Sequence, residues 1–384
     1  MDFKLNSDQV MLQDSVRRFG ERSYGFDART AQLQQGKLFA HWPTFADNGW
    51  LAAGIPEACG GVGGDAVDVA LIAQELGRVL AMEPFASVGV MPAQVLLAGG
   101  SEAQKTQFLP PLVEGKLRIS VAYSEPSSRG NPALTTLKAV ANAAAGGYGL
   151  SGLKTLVVGG ADADLFLVSA QVPDTTGITL FLVNADAPGL SQRRLRLHDG
   201  SQATEVVFDQ VQVSDAQRVG AVGAGLPALQ QGYCCAVTAL CAELIGVMEA
   251  AIEMTAEYLK TRKQFGVAIG SFQVLQHRMV DMAGDLEVSR SMLHALLDAE
   301  TNAPLDDRLR MVSQAKSLIG RLAKAVCGQA IQLHGGIGMT EEYAVGHYFK
   351  RAVVANILFG TGDQHDSAAM AELQASATLS QETP

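Results

Sequence analysis

The chain has 384 residues, a net charge of −10 and a sequence pI near 5.2. This acidity disfavours a nucleic-acid binder or a binder of anionic membranes, because both need a positive field. Only 18% of the residues are charged and 48% are hydrophobic, which favours a well-packed globular protein over a disordered chain.

The cysteine pattern and the apolar segments indicate a cytoplasmic protein. The five cysteines are odd in number, include the adjacent Cys234 and Cys235, and show no CxxC spacing, so we expect reduced thiols. The N-terminus lacks a basic region followed by an apolar core, so no signal peptide is expected. The most apolar long run, Gly232–Ile252, carries Glu243 and Glu249, which fits a buried helix better than a membrane span.

Residues 1–118 are predicted to form an all-helical N-terminal domain. Asp8–Glu21 and Asp65–Met82 place apolar residues near one stripe, with a period closer to 3.6 than to 2. Between them lies a glycine-rich segment, Pro56–Asp65. No strand precedes it, and it has neither dinucleotide-binding spacing nor a Gly-Lys-Ser/Thr sequence, so we interpret it as a loop with permissive backbone angles.

Residues 119–224 are predicted to form a middle β-domain. Short β-rich runs there are separated by Gly, Pro and Asp, which predicts a compact antiparallel sheet or barrel. The runs are Ile119–Tyr123, Leu153–Val158, Leu165–Ser169, Ile178–Val183 and Glu205–Phe208.

Residues 225–384 are predicted to form a C-terminal helical bundle. Four long, alanine-rich and amphipathic segments predict antiparallel packing. They are Ala228–Thr261, Phe272–Asp298, Arg308–His334 and Glu342–Leu358.

The stretch Gln332–Thr361 resembles the C-terminal signature of the acyl-CoA dehydrogenases, which typically begins Q-x-x-GG-x-G-x-TEEY and ends Y-E-G-T. These flavoenzymes place a double bond between Cα and Cβ of an acyl-CoA thioester. The resemblance implies their fold, which is mainly α with a β-domain: an N-terminal helical domain, a middle β-barrel or sheet domain and a C-terminal four-helix bundle. It also implies an FAD cofactor and an acyl-CoA substrate.

A second motif, beginning at Arg262, resembles the family sequence R-x-x-F-G…FQ. A guanidinium offers phosphate oxygens a fixed fork of donors, and a glycine after the aromatic residue permits a tight turn. In relatives, these residues and the Q…GG pair bind the pyrophosphate and adenosine of the FAD held by a neighbouring subunit, which implies an oligomer. The residues implied to bind FAD in this way are Arg262, Gln264, Phe265, Gln273, Gln332, Gly335 and Gly336.

The middle domain carries the residues that the resemblance places against the flavin ring. Tyr123 and Ser124 match the family segment Y-x-x-T-E-P, whose backbone meets the flavin and the acyl chain. Leu156 and Val158 occupy the positions of a tryptophan and a threonine that commonly flank the ring, so the threonine hydroxyl is missing here. The family sequence G-A-G-S-D is altered around Gly130, which we retain as a substrate-contact position.

The catalytic glutamate of the family is replaced by Phe359. The resemblance implies that the N–H of residue 359 polarises the thioester oxygen, that Phe359 and Gly360 contact substrate, and that Thr361 contacts FAD. Loss of a general base typically costs ~10²–10⁴ in rate. In some relatives the glutamate lies upstream of the arginine motif, but that position is Ala236 in this chain.

Three other groups are candidates for the base. Asp363 and His365 follow the Gly-Thr turn and are the titratable groups nearest in sequence to Phe359. Glu243 lies on the helix of Ala236, seven residues later and ~10 Å along the axis, and a structural buried glutamate is the favoured interpretation of it. The histidines show no metal-ligand spacing, and no metal site is expected.

The sequences MTEEYAVGHYFKR and LKTRKQFG resemble a branch described as the small subunit of pimeloyl-CoA dehydrogenase. We therefore expect an FAD-dependent acyl-CoA dehydrogenase chain, in a homo- or hetero-tetramer with another such subunit and passing electrons to electron-transfer flavoprotein or a similar acceptor. Two alternatives stay open: a catalytically silent subunit that shares FAD or binds acyl-CoA, and a flavoenzyme of altered reaction, such as an oxidase or desulfinase.

Overall fold

The computed structural model describes residues 4–128, 130–142 and 146–370, which pack into two compact units. The helical unit comprises the described residues of Met1–Arg29, Ala70–Ala81 and Leu240–Pro384. The mixed unit comprises those of Thr30–Val69 and Met82–Ala239. The domain boundaries predicted after residues 118 and 224 stay a prediction.

The described chain begins with α-helices, as predicted. They are α1 (Ser7–Ser23), α2 (Phe26–Gln35), α3 (Trp42–Asp47), α4 (Ala66–Arg78), α5 (Met91–Gly99) and α6 (Glu102–Val113). Helix α1 begins after Asn6, whose side-chain oxygen accepts from the Gln9 N–H at 2.9 Å while the Gln9 side chain accepts from the Asn6 N–H at 3.2 Å. Helix α4 ends before the predicted Met82, because Leu80 adopts a positive φ of 52°.

The glycine-rich segment after Pro56 is a loop, which confirms the prediction. It contains a 3-10 turn, Glu57–Cys59, that ends at Gly60 with φ 85°. A Cβ at Gly61 would lie 1.9 Å from the Ile55 carbonyl oxygen. The glycine at this position therefore allows a close backbone approach within the loop.

The mixed unit contains two four-stranded sheets. Their strands are β1 (Ile119–Ala122), β2 (Lys138–Asn142), β3 (Gly147–Val158), β4 (Leu165–Ala170), β5 (Thr179–Asn184), β6 (Leu190–Arg196), β7 (Gln202–Ser214) and β8 (Arg218–Val219). One sheet has the order β1-β4-β5-β8 and the other β2-β3-β7-β6. Every pair is antiparallel except β1 with β4, which is parallel.

Side chains from both sheets fill one core. Phe166, Phe181 and Phe208 lie in it with a relative exposure of 2% or less. The predicted β-domain is thus confirmed, but the strands β2, β6 and β8 were not predicted. Strand β6 reads LSQRRLR and is exposed along most of its length, so it lacks the apolar alternation that reveals a strand in a sequence.

The C-terminal part of the chain returns to helices, as predicted. They are α7 (Leu226–Thr261), α8 (Gln273–Asn302), α9 (Leu305–His334) and α10 (Val345–Ala355), and residues 362–370 are also helical. Helices α8 and α9 form an antiparallel hairpin, in which Arg278 near the start of α8 donates to Gln329 near the end of α9 at 2.7 Å. Helix α10 is shorter at both ends than predicted, because residues 340–344 before it and residues 356–359 after it form turns and bends.

Helix α7 is long and apolar enough to cross a membrane by length and composition alone. However, 83% of its most apolar window is buried inside the protein. A core helix has this environment, which fits the interpretation of Gly232–Ile252 as a buried helix.

Arginine-carboxylate pairs tie the segments of the helical unit together. Arg78 on α4 donates to Glu249 at 2.9 Å and to Glu253 at 2.6 Å, both on α7. Arg17 on α1 donates to Glu75 on α4 at 2.7 Å. These charged hydrogen bonds join segments that are far apart in sequence.

Candidate active site

The first group of predicted site residues lies in the mixed unit, on two adjacent backbone segments. Tyr123 and Ser124 follow β1, and Leu156 and Val158 lie at the end of β3. The Thr155 N–H donates to the Ser124 carbonyl at 2.9 Å, which joins the two segments directly. The structure therefore brings together the four residues that the sequence placed at a flavin ring.

Strand β3 is irregular where it carries these residues. Its pairing with β7 shifts register between Lys154 and Val157, and Leu156 adopts a φ of 53°. A leucine at positive φ is an outlier for its residue type. Such bulges redirect side chains and are common next to binding sites.

A buried ion pair lies behind this bulge. Lys154 is fully buried, and its ammonium donates to Glu125 at 2.7 Å, to Ser169 Oγ at 3.0 Å and to the Tyr123 carbonyl at 3.2 Å. Glu125 also accepts from the N–H groups of residues 136 and 137 at 2.7 and 3.0 Å. Lys154 on β3 thus holds the backbone at Tyr123 from the strand that also carries Leu156 and Val158.

Both members of this pair stay charged at neutral pH. Burial alone would raise the pKa of Glu125, but the Lys154 charge and several hydrogen bonds outweigh it and lower that pKa to about 2. Burial lowers the pKa of Lys154 to about 8, and the Glu125 charge limits the fall. The network is therefore an ionised pair with satisfied partners.

The mixed unit also holds the alternative position for the base. Ala236 on α7 is fully buried and offers no proton acceptor. One turn before it, the Tyr233 ring meets the Tyr123 ring edge-on with centroids 6.0 Å apart. Gly130 is buried with a φ of 90°, a backbone conformation that favours glycine.

The second group of predicted site residues lies in the helical unit, after α7. Strands β9 (Lys263–Gln264) and β10 (Val267–Ala268) form a small hairpin with Phe265 at its tip. Phe265 is 92% exposed and adopts a φ of 54°. Arg262, Gln264 and Gln273 are also exposed. The Phe265 ring and these three polar side chains are thus all accessible to another molecule.

The ends of α7 and α9 meet beside this hairpin. His334 stacks on Tyr258 with centroids 4.4 Å apart and lies 5.0 Å from the Tyr343 ring. Tyr258 precedes Arg262 by one turn, and His334 follows Gln332 closely. The stack therefore brings the two predicted adenosine motifs close together. Burial of the His334 ring lowers the pKa of His334.

Gly335 and Gly336 offer the open backbone that a bound group requires. Both are exposed, and a Cβ built on either would meet no atom within 4 Å. With the Arg262 guanidinium, this surface fits the phosphate and adenosine parts of FAD. The ring-facing segments fit less fully, because Leu156 and Val158 supply no side-chain hydroxyl.

The turn at Phe359, the position predicted to correspond to the family's glutamate, contains two consecutive residues at positive φ. Phe359 has φ 59° and Gly360 has φ 95°, and both are buried. Thr361 then caps residues 362–370: its N–H donates to the Gln364 side chain at 2.8 Å, and its Oγ1 accepts from the Gln364 N–H at 3.4 Å. Hydrogen bonds between residues close in sequence thus fix the start of the helix over residues 362–370.

The three candidate bases occupy different environments. Glu243 accepts from Arg351 through both carboxylate oxygens, at 2.5 and 3.1 Å. His365 is buried, with Nε2 2.9 Å from the Phe359 carbonyl and Nδ1 3.2 Å from Ser313 Oγ. Asp363 is exposed. That one of them removes a proton stays a prediction.

The charge state of His365 follows from its surroundings. Burial and the nearby Lys316 charge lower the pKa of His365 to about 4, so the ring is neutral at pH 7. A neutral imidazole has one N–H, and the Phe359 carbonyl needs a donor. Nε2 therefore donates to that carbonyl, and Nδ1 accepts from the Ser313 hydroxyl.

Lys316 is a site residue that the sequence analysis did not identify. It is fully buried on α9, and its ammonium donates to the Gly360 carbonyl at 3.3 Å. Burial lowers its pKa to about 8. A lysine on the apolar stripe of a helix was the available signal, because lysine is almost never fully buried without a specific role.

Lys316, which contacts the turn at Phe359 and Gly360, lies far along α9 from Gln332 of the predicted adenosine motif. Lys316 and Gln332 are 16 positions apart on this helix, or ~24 Å.

Among the described residues, no group of three or more His, Cys, Asp or Glu is arranged to hold a metal ion.

Family models match three successive parts of the chain. Their descriptions are acyl-CoA dehydrogenase N-terminal domain for residues 6–116, middle domain for residues 120–211 and C-terminal domain for residues 223–373. The chain is 29% identical over 371 residues to an acyl-CoA dehydrogenase of Bacillus subtilis, with 94% of this chain and 96% of that protein covered.

Solved structures show the same architecture. Butyryl-CoA dehydrogenase from Megasphaera elsdenii has a TM-score of 0.90 and 26% identity, with 97% of this chain and 100% of that chain covered. The FAD complex of PigA has a TM-score of 0.90 and 28% identity, with coverage of 97% and 99%. These likenesses confirm the predicted fold class.

Proposed function

The chain belongs to the acyl-CoA dehydrogenase family, and on that premise we propose that it is an FAD-dependent component of an acyl-CoA dehydrogenase. One observation carries the proposal. The backbone turn of the family's catalytic position is held in place, while the side chain at that position is the buried ring of Phe359. Thioester recognition is retained here without the usual proton acceptor.

Two groups of residues in this chain would bind different parts of FAD. The joined segments at Tyr123–Ser124 and Leu156–Val158 would support the flavin ring of one FAD, and the exposed Arg262 would pair with the pyrophosphate of the FAD held by a neighbouring subunit. FAD, when bound, supplies the acceptor for the hydride equivalent that leaves the substrate. The buried Phe359 would keep water from the reacting carbons and leave its N–H to the thioester oxygen.

We further propose that the chain works in a homo- or hetero-tetramer in the cytoplasm. The apolar side chains of Phe265, Val274, Val280 and Met339 support this, because each is 62% exposed or more on the unit that carries the adenosine motif. In a heteromer, a partner chain with its own glutamate would perform the proton transfer. The pimeloyl-CoA dehydrogenase small-subunit branch and electron-transfer flavoprotein as acceptor belong to the same proposal.

A flavoenzyme of altered reaction is the second candidate, and Leu156 and Val158 favour it. The family hydroxyl that contacts the flavin is missing at position 158, so the electronic environment of the ring would differ. Oxygen consumption compared with reduction of an artificial acceptor separates an oxidase from a dehydrogenase. A silent scaffold without flavin would show neither.

The proposal is tested by purifying the chain alone and together with an acyl-CoA dehydrogenase chain from a neighbouring gene. We expect visible flavin absorbance after FAD addition, and anaerobic bleaching by an acyl-CoA only in the complex. An Arg262→Met variant should lose flavin, whereas Arg310→Met, on the α8–α9 hairpin, should keep it. A chain that stays colourless with FAD in both preparations would refute the flavoprotein claim.

A further inference from the structure

The turn at Phe359 and Gly360 is held from behind by two buried side chains. The His365 ring donates to the Phe359 carbonyl at 2.9 Å, and the Lys316 ammonium donates to the next carbonyl, that of Gly360, at 3.3 Å. His365 is 6% exposed and Lys316 is fully buried. Two consecutive carbonyls thus each accept from a side chain that water does not reach.

The backbone at this turn is one that ordinary residues avoid. Phe359 and Gly360 have φ angles of 59° and 95°. A non-glycine residue in the left-handed region is strained and persists only where its surroundings hold it there. The two buried donors supply this constraint, because they hold the Phe359–Gly360 and Gly360–Thr361 peptide groups in place. The Phe359 N–H belongs to the preceding peptide group, so the donors act on it by fixing the backbone on the other side of the Phe359 Cα.

The donors are themselves oriented by α9. Ser313, one turn before Lys316, lies 3.2 Å from His365 Nδ1 and accounts for the second nitrogen of the ring. Ser317 and Arg321 bind Asp366 at 2.6 Å each, so the helix after the turn is also anchored to α9. One face of α9 therefore determines where the turn lies.

We propose that His365 and Lys316 are positioning residues that aim the N–H of Phe359 at the carbonyl oxygen of a bound acyl thioester. The inference rests on the proposed function, because it needs a thioester in the site. Neither side chain touches the substrate; each acts through a backbone carbonyl. A hydrogen-bond donor aligned in advance at a developing oxyanion stabilises it without reorganisation.

The test compares two ligands that differ only in the carbonyl. Butyryl-, octanoyl- and palmitoyl-CoA are titrated into the FAD-loaded protein by calorimetry, and the tightest is paired with the S-alkyl-CoA thioether of the same length. The wild-type protein should prefer the thioester by about 3–10-fold, as one hydrogen bond provides. Lys316→Met and His365→Leu should remove most of this preference and leave thioether binding unchanged.

Two variants serve as controls. Lys324→Met changes an exposed lysine on the same helix and should keep the preference. His365→Gln retains an N–H donor and should restore most of it, which also covers the case in which His365→Leu fails to fold.

The outcomes separate this inference from the proposed function. Thioester and thioether bound equally by the wild type, or lost together in the variants, would overturn the positioning role while acyl-CoA binding stands. A wild-type protein that binds neither ligand class would overturn the proposed function and this inference with it.

Discussion

Glu243 and Arg351 form a two-point ion pair between α7 and α10, with Nε to Oε1 at 2.5 Å and Nη2 to Oε2 at 3.1 Å. Each side chain is 17% exposed. Glu243→Gln should lower the free energy of unfolding by about 2–4 kcal/mol, because a partly buried guanidinium loses its charged partner. Chemical denaturation measures the change.

The double variant Glu243→Gln/Arg351→Met distinguishes this structural role from catalysis. It should recover part of the lost stability, since no charge is left unpaired. If Glu243→Gln instead leaves stability unchanged and abolishes the bleaching of flavin by acyl-CoA, Glu243 is the base.

Phe359→Glu should give the chain a proton acceptor at the family position. In the FAD-loaded chain without a partner, we expect substrate-dependent flavin bleaching to appear, at a rate ~10²–10⁴ above that of a variant without the carboxylate, the usual contribution of a general base. Phe359→Gln is the matched control, because it has a similar shape and cannot accept the proton. Equal rates in the two variants on a panel of acyl-CoA thioesters would argue that a base is present elsewhere.

Stability should depend on pH through His365. Its pKa is about 4 in the folded protein, against an ordinary value of 6.5. Between these values only the unfolded chain takes up the proton, so stability is lost as the pH falls from 6.5 to 4, by about 3 kcal/mol in total. Denaturation at a series of pH values measures this loss.

The variant His365→Gln should flatten that pH profile. His334 and His347 titrate in both proteins, so the difference between the two profiles isolates the contribution of His365. Parallel profiles would show that the ring is not buried as a neutral donor.

Lys154→Met should destabilise the mixed unit by about 3–5 kcal/mol, because Glu125 is left as a buried charge without its cation. Adding Glu125→Gln should recover part of the loss. Thermal unfolding of the single and double variants measures both effects. Equal melting temperatures for wild type and Lys154→Met would contradict the prediction that this ion pair stabilises the contact between the Tyr123–Ser124 and Leu156–Val158 segments.

Phe265→Ala should leave the free energy of unfolding within about 0.5 kcal/mol, because the ring is almost fully exposed. The same variant should reduce assembly and flavin content. Sedimentation velocity and flavin absorbance measure these quantities. Val62→Ala, at 59% exposure in the glycine-rich loop, is the control and should change neither.

The order of helices and strands was predicted well from the sequence. Hydrophobic periodicity and the Gly, Pro and Asp residues between elements depend only on residues close in sequence. Strand β6 was not predicted, because its sequence does not alternate between apolar and polar residues. The parallel pairing of β1 with β4 also could not be read, because it depends on tertiary packing rather than on a turn between neighbours.

The site was predicted less evenly. Arg262 and Gly335 stand in motifs with fixed spacing, and the stack of Tyr258 on His334 brings those motifs together. Lys316 had no motif, and its contact with Gly360 joins residues 44 positions apart. His365 was considered as a base, but its bond to the Phe359 carbonyl could be found only from the folded backbone.

The hydrogen bonds of Lys316 and His365 end on backbone carbonyls, so the turn does not depend on which side chain stands at position 359. On the function proposed above, holding the thioester and removing its proton would therefore depend on different parts of residue 359, the backbone for the first and the side chain for the second. A substitution at this one position could then add or remove a proton acceptor while the two carbonyl contacts stay in place.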